Sequence, residues 1–280
     1  MRLTHAKLFQ DISHLPVHLV ATDWTWSRPK PSHTSPNGLN SDWWVTVDNE
    51  GCKWLVKMRG STCAYREHVF SALAQRLGIS CQSSVYLTIP RNAPPMLRDP
   101  RPESHQLALC FLNEHQNACP EEKCPLRVLD CQCLELNTEA DLQLFISCGI
   151  SRAVDRFRGE ILGYLCGQDE PPGWLFTLDH TFVQIDNEMM FGTGPADLNG
   201  CEWLRFSVGR QCAENVCTSL SELSDEEILG FAQIPKGYVI EYRSDIHRRL
   251  LAARKAANSY LARASPKRIF RGGFSFGCDL

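Results

Sequence analysis

The sequence predicts an α+β protein of two lobes. Three observations predict it. Alternating apolar and polar residues suited to strands dominate residues 1–112, and helical spacing of apolar residues dominates residues 137–280. The stretch between, residues 113–136, is irregular, with Pro120, Pro125 and a group of cysteines. A chain of 280 residues suffices for one large domain or two units of ~100–150 residues with a real apolar core.

The elements follow in order. Residues 18–26 read as a strand, and the Pro-, Ser-, Asn- and Gly-rich residues 28–41 as a turn-rich loop. The alternation over 42–47 and 53–58, joined through Asn49, Glu50 and Gly51, predicts a half-buried hairpin. Val69, Phe70, Leu73 and Leu77 recur at helical spacing, which predicts a helix over 67–77 that stops at Gly78. Short strands follow over 84–89 and 105–112, separated by a Pro-rich connection over 91–104. Asn137 or Thr138 can cap a helix running to residue 146. Val154, Phe157, Ile161, Leu162 and Leu165 form one face of a helix over 152–165, in which Asp155 and Arg156 read as solvated. Pro171, Pro172 and Gly173 break that pattern. Residues 174–178 and 182–186 then form a hairpin through Asp179 and His180. Ser224 with Glu227 matches a capping box, and a long helix spans 246–261. The basic residues over 243–263, Arg248, Arg249, Arg254, Lys255 and Arg263, read as a solvated face, with a nucleic-acid or membrane contact as the alternative.

Composition excludes several classes. A net charge of −3 gives no global reason to expect nucleic-acid binding, and no apolar run is long enough for a membrane span. The first ten residues carry no apolar core of a secretory signal, so a cytoplasmic protein with reduced cysteines is the expectation. The sequence contains no HExxH, Gly-x-Ser-x-Gly or P-loop pattern.

Four carboxylates and one lysine carry the chemistry. Lys57 ends a strand and Glu67 opens the next helix. A cation so placed can contact phosphates while the glutamate holds it, although strand-end lysines and helix-start glutamates are also common structural features. Asp169 follows a helix in a Pro-Gly loop, where a carboxylate can orient an attacking hydroxyl or serve only as a loop residue. Asp186, Asn187 and Glu188 follow a buried strand, a place for metal ligands or for an ordinary surface turn.

The order of these pieces resembles the protein-kinase-like superfold. It is closer to the HipA-like and phosphatidylinositol 3/4-kinase-like branch. The residues that carry the resemblance are Lys57, then Arg66-Glu67-His68-Val69 through Leu77-Gly78-Ile79. Asp169-Glu170-Pro171-Pro172-Gly173-Trp174-Leu175 stands for the catalytic loop, and Ile185-Asp186-Asn187-Glu188 for the metal-binding strand end. The resemblance covers roughly residues 40–260. It implies a β-rich N-terminal lobe over 1–112, an inter-lobe linker over 113–136 and a helical C-terminal lobe over 137–280, with ATP bound between the lobes. It further implies that Lys57 contacts phosphate and Glu67 holds Lys57. Asp169 becomes the catalytic aspartate and Asp186 the Mg²⁺ ligand. The turn containing Gly38 and Ser41 takes the phosphate-side loop, and main-chain groups near Glu114 meet adenine. The implied activity is transfer of the ATP γ-phosphoryl to a hydroxyl of a protein or small molecule. Two departures stand out. Gly173 and Trp174 occupy the positions where the family has an asparagine, and Glu170 and Pro171 replace its arginine and histidine. Asn187 or Glu188 can supply the lost ligand; otherwise the chain is a nucleotide-binding pseudokinase or scaffold.

His115, Cys119, Cys124, Cys131 and Cys133 form a separate group. Thiolates and imidazole suit Zn²⁺, so the linker is either zinc-bound or a cluster of reduced thiols. A zinc-stapled interaction protein is the third class the sequence allows. Of the ten other cysteines, Cys110 lies just before this group, and the remaining nine are scattered and read as small core residues.

Overall fold

A computed structural model describes residues 18–20, 25–27, 43–47, 53–57, 61–81, 83–88, 106–110, 153–169, 173–176, 182–185, 187–233 and 243–264. Six strands form one sheet: β1 (His18–Val20), β2 (Thr25–Ser27), β3 (Trp43–Val47), β4 (Lys53–Lys57), β5 (Ser83–Thr88) and β6 (Gln106–Cys110). Their spatial order is β1-β5-β6-β4-β3-β2. All neighbours are antiparallel except β1 and β5. The β3/β4 hairpin sets Trp44 opposite Val56 and Trp43 opposite Lys57.

Helix α1 (Ser61–Arg76) connects β4 to β5 and packs on β5 and β6. It begins six residues before the expected start. Residues 61–66 lack an apolar stripe of their own, so periodicity alone does not reveal them. Tyr65 nevertheless is fully buried, and its hydroxyl donates to the Ala232 carbonyl at 2.7 Å. Glu67 therefore lies in the second turn of α1, not at a helix start.

Gly78 ends α1 as expected, with φ +67°. The Ile79 amide donates to the Ala74 carbonyl and the Gly78 amide to the Gln75 carbonyl, a Schellman arrangement. Arg158 covers the same helix end, donating to the carbonyls of Leu77 (2.7 Å) and Gly78 (3.0 Å). Its Nη1 also meets Asp155 at 3.3 Å. This arrangement corrects the reading of Asp155, which is buried: its neighbour Arg158 draws it inward to the end of α1.

Helix α2 (Ala153–Leu165) carries Phe157, Ile161, Leu162 and Leu165 into the core. The hairpin β7 (Gly173–Phe176) and β8 (Phe182–Ile185) leads into a 3₁₀ turn, Asn187–Met189. A second 3₁₀ turn, Glu202–Arg205, precedes α3 (Ser207–Ser221). Helices α4 (Asp225–Phe231) and α5 (Arg243–Ala264) are the last described elements, with α3 and α4 both packed on α5. Ser224 and Glu227 form the expected capping box at α4.

One apolar core runs from α1 through α2 and α3 to α5, including Phe70, Phe191 and Leu250. Cys81, Cys166, Cys201, Cys212 and Cys217 lie in it as buried free thiols. Burial pushes the Cys217 thiol up to about 12, so it stays protonated at neutral pH. Among the described residues no helix is long and apolar enough to cross a membrane.

Candidate functional site

The site gathers where α1, the end of α2 and the β7/β8 hairpin meet. Helix α1 packs against the 3₁₀ turn Asn187–Met189 that follows β8. The Gln184 amide donates to the Ser80 carbonyl at 3.1 Å, and Cys81 forms a bridge with Gln184. Asn187 donates its side-chain amide to the Cys81 sulfur at 3.3 Å. The chain just after α1 is thus stitched to Gln184 and Asn187. Phe191, just beyond the turn, meets Phe70 of α1 edge-on, with ring centroids 6.3 Å apart.

Polar groups are buried at this junction without full satisfaction. Gln184 and Asn187 are both fully buried. Among the described residues neither side-chain polar atom of Gln184 has a hydrogen-bond partner, nor does Asn187 Oδ1. Buried polar groups are ordinarily paired, so unpaired ones mark a place where a ligand or ion can be accepted.

Lys57 is the last residue of β4, four positions before α1 begins. Glu67 is fully buried on α1. A buried carboxylate needs a cation or donors around it. Its neighbour His68 is also buried, with Nδ1 2.7 Å from Ser84 Oγ of β5. Burial lowers the His68 pKa to about 4, against a smaller opposing effect of Ser84, so the ring is neutral.

Asp169 is placed by the end of α2. Gly167 sits at φ +68°, and the Gln168 amide donates to the Gly163 carbonyl, the same Schellman ending seen at α1. The Asp169 amide then donates to the Met189 carbonyl at 3.1 Å, which fixes the residue against the 3₁₀ turn. Its carboxylate is exposed to solvent. Oδ1 accepts from the Thr193 amide (2.7 Å), the Thr193 hydroxyl (3.0 Å) and the Gly194 amide (3.1 Å). Partial burial acts to raise its pKa. The Thr193 and Gly194 donors and the positive charge of Arg66 outweigh that and lower it.

The sequence reading missed the segment 192–194. A Cβ on Gly192 would stand 1.8 Å from Asp169 Oδ2, and one on Gly194 would stand 2.8 Å from the Gln168 carbonyl oxygen. Only glycines allow the segment to lie this close to the Asp169 carboxylate and to the backbone at Gln168. The available signal was the run Gly192-Thr193-Gly194 itself, which belongs to no motif of the resemblance.

Asn187 and Glu188 are placed in the 3₁₀ turn. Gly173 and Trp174 are strand residues, paired with Ile185 and Gln184. Asp186, Gly38, Ser41, Glu114, His115, Cys119, Cys124, Cys131 and Cys133 lie outside the described residues, as does the expected helix over 137–146. Among the described residues no three His, Cys, Asp or Glu side chains cluster as a metal site.

Comparison with known proteins places the fold. No protein-family model matches the chain, and no curated protein sequence matches it. Among solved structures, an aminoglycoside phosphotransferase from Alicyclobacillus acidocaldarius is 12% identical and overlaps 81% of this chain and 90% of its own, with a TM-score of 0.24. That superposition is too loose to bear on the fold. A Helicobacter pylori proinflammatory kinase, CtkA, matches 89% of this chain and 100% of its own length at a TM-score of 0.53 and 11% identity. The chain therefore shares the kinase-like fold of that protein.

Proposed function

We propose that this chain is an ATP-dependent phosphotransferase of HipA-like type, moving the γ-phosphoryl of ATP to a hydroxyl of a protein or small molecule. One observation carries the reading. Helix α1, with its buried Glu67, packs on the 3₁₀ turn that follows residue 186, while Asp169 presents an exposed carboxylate beside the same turn. This shared turn supports a reading in which helix α1, the chain after β8 and Asp169 serve one phosphoryl-transfer site.

In this reading residues 1–112 and 137–280 are the two lobes, joined by 113–136, and ATP binds between them. Lys57 contacts phosphate and Glu67 holds Lys57. Gly38 and Ser41 approach the phosphates, and the main chain near Glu114 approaches adenine. Asp169 accepts the proton of the acceptor hydroxyl. Asp186, with Asn187 and Glu188, holds magnesium, which neutralises phosphate charge when bound. The unpaired Asn187 Oδ1 is a hard oxygen of the kind that ion takes, and its chemistry fits the assignment.

Two variants test the reading by ADP release and ATP-induced thermal shift. Asp186→Ala should abolish Mg²⁺-dependent turnover, and Lys57→Met should weaken both turnover and the shift. Turnover of Asp186→Ala at the wild-type rate would refute the assignment. One observation favours a second reading. The positions that would supply the second metal-ligating asparagine are Gly173 and Trp174, already committed to the β7/β8 hairpin. A pseudokinase would show the ATP-induced shift without phosphoryl transfer from the wild type.

A further inference from the structure

We propose that Thr193 is an intramolecular phosphoryl acceptor, presented by its own chain to Asp169; this rests on the phosphotransferase reading above. The hydroxyl of Thr193 stands 3.0 Å from Asp169 Oδ1. That is the separation at which a carboxylate can take a proton from an attacking oxygen. Asp169 and Thr193 are both exposed residues.

The hydroxyl is not carried on a loose loop. The Thr193 and Gly194 amides donate to the same carboxylate oxygen. One step back, the Gly192 amide donates to the Gly167 carbonyl at 2.9 Å and the Phe191 amide to the Cys166 carbonyl at 3.1 Å. Phe191 itself is fully buried against Phe70 and holds φ 56°, an uncommon backbone state for a side chain of its size. Gly192 removes the Cβ that would strike the Asp169 carboxylate, and Gly194 the one that would strike the backbone carbonyl of Gln168 beside it. An anchored aromatic and two glycines thus lay one threonine hydroxyl on the one exposed carboxylate that the phosphotransferase reading assigns to the acceptor.

The step balances as follows. The Thr193 Oγ1–phosphorus bond forms as the bond from the γ-phosphorus to the β,γ-bridging oxygen breaks. ADP leaves with that electron pair, and the Oγ1 proton passes to Asp169 Oδ1. The product places a phosphate of about −2 charge next to the Asp169 carboxylate. Repulsion then lifts the segment, so the event occurs once per chain and leaves Asp169 open to another acceptor.

The test is peptide-mapping mass spectrometry of the full chain after incubation with Mg²⁺ and ATP, with ADP release and ATP-induced thermal shift measured in parallel. The expected result is phosphate on the Thr193 peptide, retained in Thr193→Ser and absent in Thr193→Val, which still shows the thermal shift. Asp169→Asn should slow labelling by ~10²-fold or more. Mixed with wild type, Asp169→Asn should stay unlabelled, because transfer is within one chain. ADP release without phosphate at Thr193, or labelling unchanged in Thr193→Val, overturns the proposal and leaves the phosphotransferase reading standing. Absence of ADP release and of any thermal shift overturns both. Labelling of Asp169→Asn by wild type refutes the intramolecular route.

Discussion

Acidification should weaken this fold through His68, well above the pH at which its carboxylates titrate. The imidazole is fully buried between α1 and β5, and its pKa falls from 6.5 to about 4. In the unfolded chain the ring takes a proton as pH falls below 6.5, whereas in the folded chain it takes one only near 4. The unfolded state therefore binds more protons across that window, and stability falls as pH falls through it. At 1.36 kcal/mol per pH unit the full window corresponds to about 3 kcal/mol, of which about 2 kcal/mol is lost between pH 7 and pH 5. Asp169 and Asp245 act in a different range. Their pKa values are lowered from 3.8, so their contribution is intact above 3.8 and is lost only below it. The assay is urea unfolding at several pH values from 7 to 4.5 on wild type and on His68→Leu/Ser84→Ala, which removes both ends of the His68–Ser84 hydrogen bond. The double variant should show a stability slope shallower by about 2 kcal/mol over pH 7 to 5. Equal slopes in the two proteins would refute a neutral buried His68.

Two further perturbations test the local packing. Gly192→Ala sets a methyl against Asp169 Oδ2 and should lift the segment 192–194 from the carboxylate. Thermal unfolding should register a loss of about 1–2 kcal/mol, and a wild-type melting temperature would show that the close approach is unimportant. Ser224→Ala removes the hydroxyl that accepts from the Glu227 amide at 3.1 Å and should cost about 1 kcal/mol in the same measurement. No change there would mean that the box does not hold α4.

The parts of this fold that were legible in the sequence are those set by local rules. Val69, Phe70, Leu73 and Leu77 all lie in the core, as their spacing required. Gly78 and the Ser224–Glu227 box terminate and start helices by backbone chemistry that needs no tertiary partner. What was not legible depends on distant partners. Tyr65 is drawn into the core by a carbonyl 167 residues away, which lengthens α1 and moves Glu67 into its second turn. Asp155 reads as a surface acid until Arg158 is seen closing the end of α1. At the site, Asp169 was legible from its place after a helix and before a hairpin. Its partners Thr193 and Gly194 were not, because 24 and 25 residues separate them from it and only the folded chain brings them together.

The electrostatics of Asp169 decide what part it can play in transfer. Three donors on Oδ1 and the charge of Arg66 hold its pKa down, so the group is ionised throughout the neutral range. A carboxylate stabilised in this way is a weak base, and it cannot extract a hydroxyl proton early in the reaction. Phosphoryl transfer does not ask for that. Its transition state is loose, and the acceptor oxygen becomes acidic only as the new bond forms. Orientation of the hydroxyl is then the larger contribution, with proton uptake following late. The consequence is a specific pH profile. Because the ionised form is the active one, a lowered pKa puts the acid limb due to Asp169 below 3.8. The rate of ADP release, or of labelling at Thr193, should therefore show no acid limb from this group between pH 5.5 and 8. An acid limb with a midpoint near 6, in protein shown to be folded by its near-ultraviolet spectrum, would require a carboxylate with a raised pKa. It would refute Asp169, as its hydrogen bonds hold it here, as the group that meets the acceptor.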